Sequence, residues 1–186
     1  FYTDRDSGQW VEKLIRYARE SGFNVLIEST MRVPDKICET ARAFRDLGYT
    51  VEARAIAVDG RLSTLGIHQR YEAILAAAGH ARFTVPSAHD DAYHGMLETL
   101  SRIETERVMD RVAIYKRGNI VVYENELRAD GWRSPTGARA AVEAERSRPW
   151  SASDKLKYAQ DWKSILEQRK ARDASGEDLE FAESQY

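Results

Sequence analysis

The sequence predicts an α/β protein in which helices flank a mainly parallel sheet, with a hairpin at one edge and a helical extension at the carboxyl end. Three observations support this fold class. Strand-like apolar runs alternate with helical patterns through the first two thirds of the 186 residues, as in βαβ units. Two apolar segments then flank a turn signal, as in a hairpin. An amphipathic helical pattern follows, and the length predicts one domain with a real core.

The first predicted element is a helix that begins near Ser7 and ends near Gly22. Trp10, Leu14 and Ala18 recur at helical spacing within it. Serine is a favourable N-cap, and glycine commonly follows the last helical turn. The segment therefore predicts an amphipathic helix with one apolar face.

The stretch FNVLIEST, residues 23–30, predicts a strand at 23–28 that is buried on both faces. A short apolar run bounded by turn signals is typical of the interior of a parallel sheet. Glu28 then stands at the carboxyl end of the strand, where such sheets hold their ligands. The plainer interpretation is that Glu28 marks the point where the strand meets water, and the residues alone leave both open.

The later elements continue the alternation. A helix from Pro34 to Gly48 and a strand at 51–58 complete a βαβ unit. The remaining predictions, in chain order, are a helix at about 61–78 closed by Gly79, a helix at about 90–107, a hairpin of RVAIYK and NIVVYEN around Arg117-Gly118, a looser connection around a short helix at 129–153, an amphipathic helix that includes Leu156 and Leu166, and a frayed acidic end at 173–184.

Composition excludes several classes of protein. The 28 basic and 30 acidic residues give a net charge of -2, which gives no reason to expect nucleic-acid binding. No apolar run approaches the roughly 20 residues needed to span a bilayer. The lone Cys38 cannot form an intrachain disulfide and is expected to be an inert buried thiol, which fits a cytoplasmic location. The first residue is Phe1 rather than methionine, so we expect the chain to begin partway through a longer protein.

Motif searches point away from some chemistries. Asp90 and His94 lie one helical turn apart, as two metal ligands might, but two ligands are too few and Asp90 suits a helix cap equally well; no metal site is predicted. Neither a GxxxxGK[ST] phosphate loop nor a GxGxxG occurs. If a nucleotide binds, the backbone cradle for its phosphates lies outside these residues.

Four segments with polar residues follow one another along the chain: NVLIESTMRVPD, CETARAFRDLGYTVEARAIAV, STLGIHQRYE and ARFTVPSAHDDAY. In sequence, spacing and order they resemble the zeta toxins, the toxin halves of bacterial epsilon/zeta-type toxin–antitoxin systems, and the resemblance runs from about Trp10 to Tyr123. It implies a P-loop kinase-like fold and a cytoplasmic phosphotransferase that uses ATP and Mg²⁺ to phosphorylate UDP-N-acetylglucosamine at the sugar 3′-hydroxyl, which blocks cell-wall precursor synthesis. It also implies a small helical antitoxin protein as partner.

By position, the resemblance assigns two groups of site residues. The phosphate-clamping arginines would be Arg70 and Arg82. The substrate contacts would be Glu12, Glu28, Thr30, Arg32 and Thr40. The family's P-loop lysine and catalytic aspartate would precede Phe1, so this chain alone is expected to be inactive. Residues 1–128 would form the kinase domain without its P-loop portion, and 129–186 a helical extension packed on the same domain.

Elementary chemistry is consistent with these residue types. Phosphoryl transfer requires positioning and neutralisation of negative charge, and the guanidinium fork of arginine suits the second task. The alternative is that Arg70 and Arg82 are ordinary surface arginines. Arg32 could equally pair with a substrate phosphate or with Glu28, and the helix dipole already explains an acidic Glu12 in a first turn.

Departures from the family pattern leave the substrate open. Ser29 stands where the family often has glycine, and Ile67 replaces a small polar residue. Three hypotheses follow: a UDP-sugar kinase toxin, a related kinase acting on another nucleotide substrate, or a non-catalytic remnant that binds a partner. The residues upstream of Phe1 and a panel of nucleotide acceptors would distinguish them.

Overall fold

The computed structural model describes residues 4–185, which form seven helices and four strands. The helices are α1 (Asp4–Glu20), α2 (Pro34–Arg45), α3 (Gly60–Ala78), α4 (Pro86–Glu106), α5 (Ala138–Arg146), α6 (Ala152–Ala171) and α7 (Gly176–Glu183). The strands are β1 (Glu52–Ile56), β2 (Arg111–Lys116), β3 (Ile120–Arg128) and β4 (Gly131–Trp132). None of these helices is long and apolar enough to cross a membrane.

The four strands form one sheet in the order β1-β2-β3-β4. β1 and β2 are parallel, and Ile56 pairs with Tyr115 at the carboxyl ends of the two strands. The chain leaves β1, passes through α3 and α4, and returns as β2, which is the crossover that parallel strands require. β3 and β4 continue the sheet with antiparallel pairing. The α/β fold class is therefore confirmed.

The predicted hairpin joins β2 to β3. Gly118 and Asn119 both adopt positive φ in its turn, at 85° and 59°. Glycine and asparagine tolerate this left-handed region better than most residues, so the turn could be predicted from the sequence.

The main core lies between the sheet and its helices. Val112 and Ile114 of β2 are fully buried, as are Leu100 and Ile103 of α4. Cys38 of α2 is part of the same core, and burial raises the pKa of its thiol. The prediction of a buried thiol is confirmed.

A second apolar cluster joins α3 to the last two helices. We term it the C-terminal cluster; its buried members are Leu65, Tyr158, Trp162, Ile165, Leu166 and Ala182. Leu65 is contributed by α3, and the other residues by α6 and α7. The carboxyl end of the chain is thus anchored on the helix that follows β1.

The predicted strand at 23–28 is wrong. Residues 23–30 have no regular secondary structure and are exposed, and Leu26 is 89% exposed. The apolar run has strand propensity, but a strand also needs a neighbour for its backbone N–H and C=O groups. None of the described residues provides one, so propensity alone does not produce a strand.

Two other predictions need correction. Residues 173–184 are not a frayed end, because α7 forms there with the Ser175 hydroxyl accepting from the Asp178 amide and with Ala182 fully buried. Asp90 does not cap α4, because that helix begins at Pro86, four residues earlier. Proline is well tolerated in a first helical turn, where its missing N–H has no intrahelical role.

Candidate active site

Arg70 lines a concavity of about 310 Å³ at the carboxyl end of β1, which we term the arginine pocket. Its lining residues are Ile56, Val58, Ser63, Gly66, Ile67, Arg70 and Arg117. α3 starts directly after β1, because Asp59 caps it by accepting from the Arg61 amide at 2.9 Å. The pocket therefore occupies the position at which parallel sheets place their ligands.

Arg117 is a site residue that sequence reasoning missed. It follows β2 in the hairpin turn, and one of its guanidinium nitrogens donates to the Leu62 carbonyl at 3.1 Å. The same nitrogen would lie 3.5 Å from a Cβ added at Gly66, so it lies close to α3. The available signal was that the two parallel strands end at one edge of the sheet, which brings the residue after β2 to the residues after β1.

The loop between α3 and α4, residues 80–85, lies beside the arginine pocket. Arg70 donates to the Thr84 hydroxyl at 3.3 Å, and Thr84 is two residues beyond Arg82. Phe83, between them, contacts α3 through Tyr71, with ring centroids 5.3 Å apart. Arg70 is therefore fastened to the segment that carries Arg82.

Arg32 lines a second concavity, of about 560 Å³, together with Val33, Asp90, Asp91 and His94. We term it the His94 pocket. The backbone beside Arg32 is fixed on α4, because Thr99 donates to the Met31 carbonyl at 2.6 Å. A Cβ at Gly95 would lie 2.3 Å from the Arg32 carbonyl oxygen, so only glycine permits this approach.

A hydrogen-bonded chain links the two pockets. His89 contacts the Ser63 hydroxyl through Nε2 at 3.0 Å and the Asp90 carboxylate through Nδ1 at 2.9 Å. Ser63 lines the arginine pocket and Asp90 the His94 pocket. The order is that of a hydrolytic triad, but the Ser63 amide donates to the Asp59 carbonyl within α3 and so is not an oxyanion donor. These hydrogen bonds instead connect the linings of the two pockets.

The other predicted substrate residues lie elsewhere on the surface. Glu28 and Thr30 are exposed in the irregular segment that precedes α2. Glu12 of α1 forms an exposed ion pair with Lys36 of α2, and a hydrogen bond from Lys36 lowers the pKa of Glu12. Thr40 donates to the Lys36 carbonyl at 2.7 Å, one helical turn away. None of these four side chains lines either pocket.

The charges of the two pockets differ. The arginine pocket combines two guanidinium groups with a hydroxyl, which suits an anion with several oxygen atoms. The His94 pocket combines one guanidinium with two carboxylates and an imidazole, which suits a ligand that carries both hydroxyl groups and negative charge. Within the described residues, no group of three His, Cys, Asp or Glu side chains could hold a metal ion.

Comparisons with known proteins agree on one family. The family model described as zeta toxin matches residues 1–128. Toxin PezT of Streptococcus pneumoniae serotype 4 is 30% identical over 126 residues, which is 67% of this chain and 50% of PezT. Toxin zeta of Enterococcus hirae is 28% identical over 120 residues, 64% of this chain and 42% of that toxin.

A solved structure extends the similarity beyond those residues. It belongs to the PezAT chromosomal toxin–antitoxin system of Streptococcus pneumoniae and matches with a TM-score of 0.72 and 25% sequence identity. The match covers 89% of this chain and 64% of the other. The chain spans about half the length, or less, of the curated relatives that it matches, between 42% and 50%.

Proposed function

The chain belongs to the zeta toxin family, and from this premise we propose that it is the arginine-bearing and acceptor-binding part of an ATP-dependent phosphotransferase. The proposed acceptor is the 3′-hydroxyl of UDP-N-acetylglucosamine, whose phosphorylation would block the synthesis of cell-wall precursors. Such a reaction takes place in the cytoplasm, where both nucleotides are found.

One observation carries this proposal. Arg70 and Arg117 line the same pocket beyond the parallel strands, and Arg70 is bonded to the loop that contains Arg82. Arg70 and Arg117 thus lie on separate elements at one sheet edge, and we propose that Arg82 joins them because its loop is bonded to Arg70. An arrangement of this kind suits a polyphosphate better than a neutral ligand.

The arginines would act by positioning and by charge. In phosphoryl transfer, negative charge spreads over the oxygens of the group in flight, and fixed guanidinium donors stabilise that charge. Arg70 and Arg117 would hold the transferred phosphate from the two sides of the pocket. The carbonyl of Leu62 keeps Arg117 oriented, so little side-chain freedom is lost when the phosphate binds.

The His94 pocket would hold the acceptor. Arg32 would pair with a diphosphate oxygen of the nucleotide sugar, while Asp90 and Asp91 would accept hydrogen bonds from sugar hydroxyl groups. Glu28 and Thr30 precede Arg32 in the chain but line neither pocket, so their contact with the acceptor stays a prediction. The His89 chain, which joins Ser63 to Asp90, would keep donor and acceptor in register.

The residues present fit the phosphates of ATP but provide no site for a resident metal. Arg70, Arg82 and Arg117 supply donors for phosphate oxygens, whereas no metal-binding cluster occurs in the described part of the chain. Mg²⁺ would enter with the phosphates of ATP and would neutralise part of their charge. Because the similar PezAT structure belongs to a toxin–antitoxin system, we also propose a small antitoxin protein as partner, which would keep the enzyme silent.

The proposal is tested with the full-length gene product, ATP and a panel of nucleotide acceptors, with phosphorylated products identified by mass spectrometry. We expect UDP-N-acetylglucosamine to be consumed. Replacement of Arg70 by alanine should lower the rate by about 10³ or more with little change in thermal stability. Arg139→Ala is the matched control, since Arg139 is an exposed arginine of α5 paired only with carboxylates.

Three results would contradict parts of the proposal. If UDP-N-acetylglucosamine is untouched while another nucleotide is phosphorylated, the acceptor is wrong. If no acceptor is phosphorylated and the protein still binds an antitoxin, the chain belongs to a non-catalytic binding protein. Retained activity in Arg70→Ala would remove Arg70 from the site.

A further inference from the structure

A buried ionic cluster connects α6 to the middle of α3, outside both pockets. Arg169 and Glu72 form an ion pair of 2.9 Å whose side chains are only 1% and 2% exposed. The remaining guanidinium nitrogens of Arg169 contact His68 Nδ1 at 2.6 Å and the Asp178 carbonyl at 2.6 Å. All three nitrogens of one side chain are thus used, across three helices.

The bonds define the state of the histidine. A guanidinium nitrogen can only donate, so Nδ1 of His68 must accept, and the proton of the neutral ring lies on Nε2. Burial, followed by the charge of Arg169, lowers the pKa of His68 to about 4. The ring is therefore neutral at physiological pH.

The neutral ring of His68 is the centre of an aromatic group that reaches the 80–85 loop. Its centroid lies 5.1 Å from that of Trp162 in α6 and 5.1 Å from that of Phe181 in α7. On the other side it lies 5.0 Å from the ring of Phe83. His68 thus contacts the C-terminal helices and the loop at the same time.

Phe83 belongs to the loop that is bonded to the arginine pocket through Thr84. Arg82 precedes it, and Thr84, which accepts a hydrogen bond from Arg70, follows it. The position of Phe83 therefore fixes where Arg82 and Thr84 can lie. Residues 80–85 themselves belong to neither a helix nor a strand.

We propose that α6 and α7 act as a clasp that positions the 80–85 loop, with Arg169 as the positioning residue that acts through His68 and Phe83. The inference rests on the proposed function in so far as Arg70 and Arg82 act on phosphate. The buried charges support it, because a buried ion pair contributes little net stability compared with apolar residues of the same size. A positioning role explains why this buried place holds Arg169 with its three directed hydrogen bonds, since an apolar residue such as leucine would suffice for packing alone.

The experiment uses 4-fluorophenylalanine incorporated into the whole chain and read by fluorine NMR. The sequence contains five phenylalanines, at 1, 23, 44, 83 and 181, and single Phe→Leu replacements assign their signals. The signal of Phe83 reports on the 80–85 loop and that of Phe181 on the clasp. The signal of Phe44 reports on the separate core around α2. The variant is Arg169→Gln, and Glu72 keeps two hydrogen bonds from Arg172 in it, at 2.9 Å each.

We expect Arg169→Gln to move the signals of Phe83 and Phe181 toward their positions in the denatured chain while that of Phe44 stays in place. Arg169→Lys, which keeps the charge but not the fork, should give an intermediate shift. Lys170→Ala is the matched control on the same helix, because it removes only the exposed pair with Glu183, and it should leave Phe83 unmoved. A Phe83 signal that stays in place while that of Phe181 moves would overturn the proposal.

A second variant covers the case in which Arg169→Gln does not fold. Phe181→Ala removes one ring from His68 and leaves the ion pair intact, so it must also shift Phe83; an unmoved signal would overturn the proposal. In the full-length gene product, Arg169→Gln should lower kcat by about tenfold to a hundredfold with the KM of the acceptor unchanged. The fluorine signals do not depend on turnover. They therefore test whether α6 and α7 position the 80–85 loop even if the wild-type protein proves not to be a kinase.

Discussion

Two regions of the molecule hold similar side chains in opposite surroundings. In the C-terminal cluster Trp162 is fully buried, and nearby even the charged pair of Glu72 and Arg169 is almost completely enclosed. In α1 and the segment after it, Trp10 is 71% exposed and Leu26 is 89% exposed. Residue type therefore does not decide burial here. A facing element decides it, because apolar surface is stabilising only where another surface removes it from water.

The exposed amino-terminal region and the buried C-terminal cluster also differ in how the family match covers them. The zeta toxin match covers residues 1–128 and includes the exposed amino-terminal region, but it stops before α6 and α7. The family match thus covers both pockets of the candidate site. α6 and α7 lie outside that match, and their contacts with α3 can be seen only in the three-dimensional structure.

The largest effect that sharpens this comparison is expected from the two tryptophans. Trp162→Ala should lower the free energy of unfolding by about 3–5 kcal/mol, because it leaves a cavity in the C-terminal cluster. Trp10→Ala should change it by less than about 0.5 kcal/mol, because that ring is mostly in water. Urea unfolding of both variants measures the difference. Equal losses would mean that the two regions are not distinct.

A slightly smaller loss is expected when the buried ion pair is broken. Glu72→Gln removes the charge that compensates Arg169, so the free energy of unfolding should fall by about 3 kcal/mol. Burial alone would raise the pKa of Glu72, but hydrogen bonds from Arg172 and Arg169 outweigh it and lower the pKa. The exposed pair of Lys157 and Asp161 provides the control, since Lys157→Ala removes only a surface contact. Similar losses in both variants would contradict a special role for the buried pair.

The smallest of the three effects is a dependence of stability on pH. The pKa of His68 is about 4 in the folded protein and 6.5 ordinarily, so between these values the unfolded chain binds the extra proton. Stability should therefore fall by on the order of 2–3 kcal/mol as the pH drops from 6.5 to 4. The charged groups that face the ring are Arg169, Glu72 and Asp178.

The histidine effect is isolated by comparing variants. His68→Gln should remove this part of the acid slope, whereas His80→Gln, at an exposed histidine beyond α3, should keep it. Urea unfolding at several pH values measures the slope. An unchanged slope in His68→Gln would show that the ring is protonated in the folded protein too.

Much of the fold was predictable because local signals and tertiary contacts agree. The helix that Gly79 closes is present, and Gly79 ends it with a left-handed backbone. The hairpin turn at Gly118 likewise needed only its own residues. In contrast, residues 23–28 have the composition of a strand but no strand to pair with among residues 4–185. The helix α7 forms in a polar segment because Ala182 and Phe181 contact α6. Neither outcome could be predicted from the local sequence pattern.

The site was predictable only in part, for the same reason. Arg70 lines the arginine pocket and Arg32 the His94 pocket, while their roles toward a substrate stay predictions. Arg117 sits in an ordinary turn, and its relation to Arg70 arises from the parallel pairing of β1 and β2. The assignment of Glu12 and Thr40 to the substrate stays a prediction, since Glu12 pairs with Lys36 and Thr40 bonds within its own helix.

The shared phosphate site in the arginine pocket is tested most directly by a double-mutant cycle on Arg70 and Arg117, measured as phosphotransfer from ATP by the full-length gene product. We expect each alanine variant to lose activity, and the double variant to lose less than the two single losses multiplied, because both guanidinium groups would act on one phosphate. If the two single losses multiply in the double variant, or if Arg117→Ala keeps full activity, the shared phosphate site in the arginine pocket is contradicted.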